Sequence, residues 1–197
     1  MALYVMLNGP YPALLGRERC WDEQRNAKLY NGPDPVVAHP PCGPWSRLRF
    51  MCTKQDPACG PRAVEQVRAF GGVLEHPAES QLWRHCRLPF PGELPDEHAG
   101  FTVLVRQVAW GHACEKPTWL YCVGVTRSLV YSGIRRGGVA SHRIASGPRG
   151  PLLSAHKAMR SRTPVPFAEW LISIATQAKP PRPRTTRAEL ASVKENP

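Results

Sequence analysis

The sequence predicts an α/β fold built on an open, mainly parallel sheet, within a chain of 197 residues. In the first half, short apolar runs alternate with a segment of helical periodicity, and two further apolar runs follow in the second half. Pro- and Gly-rich clusters separate these runs, as turns separate regular elements. Hydrophobic residues make up 42% of the chain, which is enough for one core. We therefore expect a single domain over residues 1–178, followed by a tail at 179–197.

The first two strands are predicted from short apolar runs that end at proline-containing turns. Residues 2–7 (ALYVML) predict a buried strand, and the turn-forming run NGPYP follows it. Residues 21–30 are polar and predict a short helix. The run PVVAH at residues 35–39 predicts the next strand, which two prolines end.

A helix and a further strand complete the first half. Residues 62–70 carry apolar side chains at helical spacing with charges opposite them, and Gly71 and Gly72 end the helix. Val73 and Leu74 then predict a strand that runs into a His-Pro turn. The order strand, helix, strand favours a parallel sheet with crossover helices.

The second half predicts an antiparallel hairpin and a closing helix. The apolar runs at residues 101–110 and 118–125 are separated by a turn-like segment, as in a hairpin. Residues 131–151 are Gly-rich and basic without a clear period, which predicts a mobile loop. Residues 163–178 predict a helix with Thr163 as its N-cap. The Pro- and Arg-rich tail beyond it is predicted to be disordered.

Composition bears on partners and compartment. The formal net charge is +11 and the sequence pI is about 9.7, which favours a polyanionic partner such as nucleic acid. The seven cysteines, an odd number, indicate free thiols in a reducing compartment. No secretory signal is recognisable, and no stretch approaches the roughly 20 apolar residues of a membrane span. The sequence predicts a soluble cytoplasmic protein.

Two predicted strands end in loops that carry reactive groups, HPPC with Cys42 and LEHP with Glu75. In an open parallel sheet the loops at the carboxyl ends of the strands form the ligand crevice. A thiol nucleophile beside a carboxylic acid that exchanges protons is a working catalytic pair. His39 and His76 each precede a proline at a strand end, so we expect them to line the same crevice. The alternative interpretation is an unreactive thiol in a turn and a surface carboxylate.

Four motifs in order resemble those of small phage-encoded proteins of the DNA cytosine carbon-5 methyltransferase type. They are AHPPC at 38–42, EHP at 75–77, KPTWLY at 116–121 and TPVPFAEWL at 163–171. The resemblance implies a Rossmann-like fold of the methyltransferase type, S-adenosylmethionine as cofactor and DNA as partner. It also implies the cytoplasm of a bacterial or phage-infected cell.

The resemblance assigns roles to individual residues. Cys42 would add to carbon 6 of the base so that carbon 5 can take a methyl group, and Glu75 would contact ring nitrogen 3 and the amino group. The base must leave the duplex first, which requires a pocket and cations on the phosphates, and Trp45 is the best exposed stacking candidate. The residues predicted to contact substrate or DNA are His39, Pro41, Trp45, Ser46, Arg47, Arg49, His76, Lys116, Arg135, Arg136 and Arg143. The residues predicted to contact the cofactor are Asn8, Gly9, Asp22 and Pro40.

The sequence also departs from that family. The run NGPYPALLG after the first strand is not the expected Gly-rich cofactor loop, and Asp22 or Glu23 would be the ribose-binding acid at a short spacing. Two other functions therefore stay open. One is a non-catalytic DNA-binding or anti-defence protein on a degenerate scaffold, and the other is a pyrimidine nucleotide transferase with another one-carbon donor.

Zinc is a further alternative, although no paired C-x-x-C spacing is present. The fragment from His76 to Glu79 resembles part of a zinc deaminase motif, but no PCxxC follows it. The metal ligands on this interpretation would come from Cys52, Cys59, His85, Cys86, His112 and Cys114.

Overall fold

The structure is a computed structural model that describes residues 1–46, 49–52, 55–143 and 153–180. It is a mixed α/β fold with one six-stranded sheet, which confirms the predicted class. The strands are β1 (Ala2–Leu3), β2 (Cys20–Trp21), β3 (Val36–Ala38), β4 (Gly72–Pro77), β5 (Phe101–Arg106) and β6 (Pro117–Val123).

The sheet has the strand order β2-β1-β3-β4-β6-β5. Strands β2, β1, β3 and β4 are mutually parallel, whereas β6 is antiparallel to both of its neighbours, β4 and β5. The predicted parallel sheet with an antiparallel hairpin is therefore confirmed. Strands β2 and β5 form the two edges of the sheet.

Helices cover both faces of this sheet. They are α1 (Tyr11–Leu15), α2 (Cys59–Phe70), α3 (Gln81–His85), α4 (Arg127–Ser132), α5 (Lys157–Ser161) and α6 (Val165–Gln177). A second, two-stranded parallel sheet pairs β7 (His142–Arg143) with β8 (Leu153–Ser154). In the described part of the chain, no helix is long and apolar enough to cross a bilayer.

The alternation of side chains along the strands divides the core into two layers. On one face Val73 and Leu120 belong to the cluster that includes Phe167 and Leu171 of α6. On the other face the cluster of α2 and α3 includes Leu74. Because both faces of the sheet are buried, successive residues along the strands are apolar and the sequence shows continuous apolar runs.

Gly71 and Gly72 join α2 to β4, as predicted. The N–H of Gly71 donates to the carbonyl of Val67 at 2.9 Å and closes the helix. Gly72 has φ +116°, and a Cβ there would lie 2.0 Å from the carbonyl oxygen of Val36. Only glycine allows β3 and β4 to approach this closely.

Several predicted boundaries in the first half are wrong. The first strand stops at Leu3, because Tyr4 has a left-handed backbone (φ +58°) that ends the extended run. The predicted helix over 21–30 is absent: Cys20–Trp21 form β2, and Ala27–Leu29 form a 3₁₀ turn. Strand β4 continues to Pro77 because β6 supplies partners along its whole length.

Boundaries in the second half also differ. The strand predicted over 101–110 ends at Arg106, and a 3₁₀ turn spans Gln107–Trp110. Helix α4 and strand β7 occupy part of the loop predicted over 131–151, of which residues 144–151 lie outside the described residues. Helix α6 begins at Val165 with Pro164 at the N-cap in place of Thr163. The tail prediction lies almost wholly outside the described residues, and the single-domain assignment stays a prediction.

The close approach at Gly72 leads to a stability prediction. Gly72→Ala should lower the free energy of unfolding by about 3 kcal/mol or more, since the added methyl group meets backbone that cannot move aside. Gly92→Ala is the matched control, because Gly92 also has a positive φ (+93°) but has open space around it. Urea unfolding of the two variants measures the difference. Equal losses would show that backbone strain alone, and not strand contact, sets the requirement at Gly72.

Candidate functional site

The chemistry-bearing side chains meet at the carboxyl edge of the parallel strands. The HPPC loop leaves β3 at this edge, and Glu75 lies near the end of β4. Because β6 is antiparallel, its beginning comes to the same edge and places Lys116 there. The 3₁₀ turn after β5 adds Gln107. The topology therefore brings together residues from four separate parts of the sequence.

Glu75 is at the centre of this cluster and is 8% exposed. One carboxylate oxygen accepts a hydrogen bond from Nδ1 of His39 at 2.9 Å, and the other accepts from Nε2 of Gln107 at 2.8 Å. The Gln107 amide also donates to the hydroxyl of Thr118 at 3.0 Å. Both oxygens of the carboxylate are thus held in place, one by the half-buried His39 and the other by the buried Gln107.

The charge state of Glu75 follows from its neighbours. Burial opposes ionisation, but the positive charge of Lys116 and the hydrogen bond from His39 outweigh it and lower the pKa of Glu75 to about 2. At neutral pH Glu75 is a carboxylate that accepts hydrogen bonds. It does not itself carry a proton into the site.

His39 is held between Tyr11 and Glu75. The Tyr11 hydroxyl lies 2.5 Å from Nε2 of His39, and burial together with the Glu75 charge raises the pKa of Tyr11, which keeps its proton. The hydroxyl therefore donates to Nε2, and this pattern assigns the ring proton to Nδ1, which donates to Glu75. Both ring nitrogens are engaged, so His39 positions Glu75, and the predicted direct contact with substrate does not use its nitrogens.

Cys42 is exposed and begins a 3₁₀ turn, whereas the preceding Pro40 is buried. Surrounding protein atoms and the Glu75 charge raise the pKa of the Cys42 thiol, and Lys116 lowers it in part. The thiol is therefore protonated in the free protein. Lys116 is half-buried and donates from Nζ to the carbonyl of Arg162 at 3.3 Å, which fixes this cation near both groups.

Trp45 and His76 are predicted to be accessible to substrate, and the structure contradicts both predictions because both side chains are buried. Trp45 is buried (9% exposed) and packs against His85 with ring centroids 4.9 Å apart, because Gly60 leaves room for the indole. It offers no exposed stacking surface. His76 is buried on the opposite face of β4 from Glu75 and lies near Trp83, so it does not line the crevice.

The remaining predicted substrate residues are scattered. Ser46 donates its hydroxyl to the carbonyl of Gly43 at 3.0 Å, and Pro41 is half-buried in the HPPC loop. Arg49 is exposed on the segment after this loop. The exposed residues Arg135 and Arg136 lie beyond β5, Arg143 lies in the small sheet, and Arg47 is outside the described residues.

The predicted cofactor residues lie along the same edge of the sheet. Asn8 and Gly9 form the turn between β1 and α1, where the Gly9 N–H donates to the carbonyl of Met6 at 2.9 Å. Asp22 directly follows β2 and is half-buried, and its carboxylate accepts from the Arg25 N–H at 2.9 Å. Strand β2, which the sequence does not predict, is therefore followed directly by an acidic residue.

Three members of the site are not predicted from the sequence: Tyr11, Gln107 and Thr118. Tyr11 lies in a run that predicts a turn, and Gln107 lies within a predicted strand that ends one residue before it. Their position at the carboxyl edge of the sheet would identify them as site residues, but this position can be predicted only when the strand ends are predicted correctly. Among the described residues, no three His, Cys, Asp or Glu side chains come together as metal ligands.

Comparison of the chain with protein-family models, with curated proteins and with solved structures finds no match to any of them.

The buried His76 predicts a pH dependence of stability. Burial lowers its pKa from 6.5 to about 4, so between these values the unfolded chain binds a proton that the folded chain does not. The free energy of unfolding should therefore fall by roughly 3 kcal/mol as the pH drops from 6.5 to 4.

Denaturant unfolding of wild type and His76→Leu across this pH range tests the prediction. The substitution should reduce the slope of the free energy of unfolding against pH. Burial also lowers the pKa of His112, so part of the slope should remain. His98→Leu, at a partly exposed position, is the control and should keep the wild-type slope. An unchanged slope in His76→Leu would assign the acid sensitivity to other groups.

Proposed function

We propose that this protein modifies a pyrimidine base in DNA, by transfer of a methyl group to carbon 5 of cytosine through a Cys42 nucleophile. The observation that carries the proposal is the position of Cys42, an exposed thiol three residues after His39, which with Gln107 holds the carboxylate of Glu75 at the carboxyl edge of an open sheet. The hydrogen bond from His39 to Glu75 places the HPPC loop, which ends at Cys42, beside the carboxylate.

The strand order supports the methyltransferase type of fold that the resemblance implies. The parallel strands are followed by an antiparallel pair in which β6, the later strand, is inserted beside β4. This insertion brings the KPTWLY motif, which begins at Lys116, next to the EHP motif. Two motifs of the resemblance, distant in sequence, thus share one site.

The residues present are suited to the proposed addition step. As Sγ of Cys42 bonds carbon 6, the carbon 5–carbon 6 π pair moves to the carbon 4–carbon 5 bond. The carbon 4–nitrogen 3 π pair moves onto nitrogen 3, which takes a proton. The thiol loses one proton in the same step, and Glu75 is the acceptor between donor and base. Lys116 offsets the negative charge that accumulates there. Once carbon 5 carries the methyl group, its proton is lost to solvent and Sγ leaves carbon 6. Nitrogen 3 returns its proton through Glu75 to Sγ, which restores the ring and the thiol.

The edge also has groups that fit S-adenosylmethionine, which supplies the methyl group when bound. Asp22 ends the second parallel strand, where a carboxylate can accept from two ribose hydroxyls. The turn at Asn8 and Gly9 and the buried Pro40 lie at the ends of the two neighbouring strands. The chain's own contribution would be to orient the cofactor between these loops.

A second candidate is a non-catalytic DNA-binding or anti-defence protein on the same scaffold. The raised pKa of Cys42 favours it, since the free thiol is not ionised. The short β1 and the five-residue α1 also leave a small cofactor turn. A pyrimidine nucleotide transferase would use the same thiol on a smaller substrate.

A covalent trap tests the catalytic proposal. With an oligonucleotide that contains 5-fluorocytosine, the wild-type protein and S-adenosylmethionine should give a DNA–protein adduct by mass spectrometry, because fluorine at carbon 5 blocks the elimination. Cys42→Ser should give none.

Cys52→Ser is the matched control, since Cys52 is a free thiol on the following segment and should leave the adduct unchanged. DNA binding that survives Cys42→Ser, with no adduct from the wild type, would favour the non-catalytic candidate. Adduct formation on the mononucleotide alone would favour the nucleotide transferase.

The hydrogen bonds to Glu75 lead to a further prediction about pH. His39→Asn should slow adduct formation by about 10- to 100-fold, with a smaller loss in Tyr11→Phe, because the carboxylate loses its orientation. Removal of His39 should also raise the pKa of Glu75, so the acidic limb of the pH–rate profile should move to higher pH. An unchanged profile with a lower rate would limit His39 to a packing role.

A further inference from the structure

A basic groove runs along the free edge of the sheet, beside β5. Its cavity volume is about 290 Å³, and it is open to solvent. The wall on one side is the end of β5 and the turn after it, and on the other side it is the segment that follows α4. The lining residues that matter are Leu104, Arg106, Ala109, Ile134, Arg135 and Arg136.

The two walls of the groove are in direct backbone contact at one end. A Cβ at Gly138 would lie 2.5 Å from the carbonyl oxygen of Val108, so the segment after α4 packs with bare backbone on the turn after β5. Gly137 and Gly138 both have positive φ (+86° and +91°), which lets the chain turn here. This backbone contact brings the two walls of the groove together.

The charge of the groove suits an anion. Arg135 and Arg136 are exposed and form no ion pair with other described residues. Arg106 pairs with Glu115 at 3.4 Å, but both side chains are exposed, and such pairs contribute little. Exposed apolar carbon at Leu104, 49% accessible, lies among these cations. Guanidinium groups beside apolar carbon complement a sugar–phosphate backbone.

The position of the groove relates it to the candidate site. Arg106 and Gln107 are consecutive, and Arg106 lines the groove while Gln107 donates to Glu75. Strand β5 is two strand spacings from β4, which is about 10 Å. One strand of duplex DNA advances 3.4 Å per nucleotide, so this distance corresponds to about three nucleotides.

We propose that this groove binds the phosphodiester backbone of the DNA about three nucleotides from the base presented to Cys42. The inference rests on the proposed function for the presence of DNA, and it adds the path of the strand. Arg135 and Arg136 hold the phosphates, while Arg106 exchanges Glu115 for a phosphate oxygen.

Salt-dependent binding of a random-sequence duplex, followed by fluorescence anisotropy, tests the groove. Each lost phosphate contact should reduce the slope of log K against log salt by about 0.9. The variant Arg135→Gln with Arg136→Gln should therefore lose about two from the slope and bind about 10- to 100-fold more weakly at 0.1 M salt. The matched control is Arg17→Gln with Arg19→Gln, an equal change of charge at exposed residues before β2.

Equal losses in the two double variants would overturn the groove and leave only diffuse electrostatic attraction. No binding of DNA by the wild type would overturn the proposed function itself, and the groove proposal with it. Binding by the wild type with an unchanged groove variant would overturn the groove proposal alone.

A second measurement locates the contact. Neutral methylphosphonate linkages are placed one at a time around a single 5-fluorocytosine in a duplex that forms the adduct. The wild-type yield should fall when the neutral linkage lies about three nucleotides from the base, and the groove variant should be insensitive at that position. Sensitivity of both proteins to the same linkage would overturn the assignment.

Discussion

A buried carboxylate is the constraint on which the rest of the site depends. A charge removed from water needs partners, and Glu75 obtains them from three parts of the chain: His39 after β3, Gln107 after β5 and Lys116 before β6. Each partner in turn is fixed by its own contacts, to Tyr11 and Thr118 for example. The geometry of the edge follows from the need to compensate this single charge.

The antiparallel insertion of β6 makes that compensation possible. A parallel strand in the same place would begin at the opposite edge and carry Lys116 away from Glu75. Because β6 runs antiparallel between β4 and β5, its first residues meet the last residues of both neighbours. The antiparallel position of β6 between β4 and β5 therefore determines both the topology of the sheet and the charge balance of the site.

The sequence was sufficient for features set by local chemistry. Apolar runs predict the class of fold, Gly71 and Gly72 predict the end of α2, and the order of the strands predicts that the HPPC loop, through His39, lies beside Glu75. Features set by tertiary partners were missed. Strand β2 has two residues and exists through its pairing with β1, and the length of β4 depends on β6. The burial of Trp45 likewise depends on space left by Gly60, which no local pattern reveals.

The charge states of Cys42 and Glu75 restrict how the proposed addition can proceed. Burial and the Glu75 charge raise the pKa of the Cys42 thiol, whereas the pKa of Glu75 is about 2. A complete proton transfer from Cys42 to Glu75 before the base binds is therefore unfavourable. A separate thiolate would also be repelled by the carboxylate. The proton must then reach ring nitrogen 3 as the bond from Sγ to carbon 6 forms, with Glu75 as a relay that is never stably protonated. In the proposed reaction the bound base completes the set of groups that exchange the proton, and the raised pKa of Cys42 keeps the thiol protonated until the base binds.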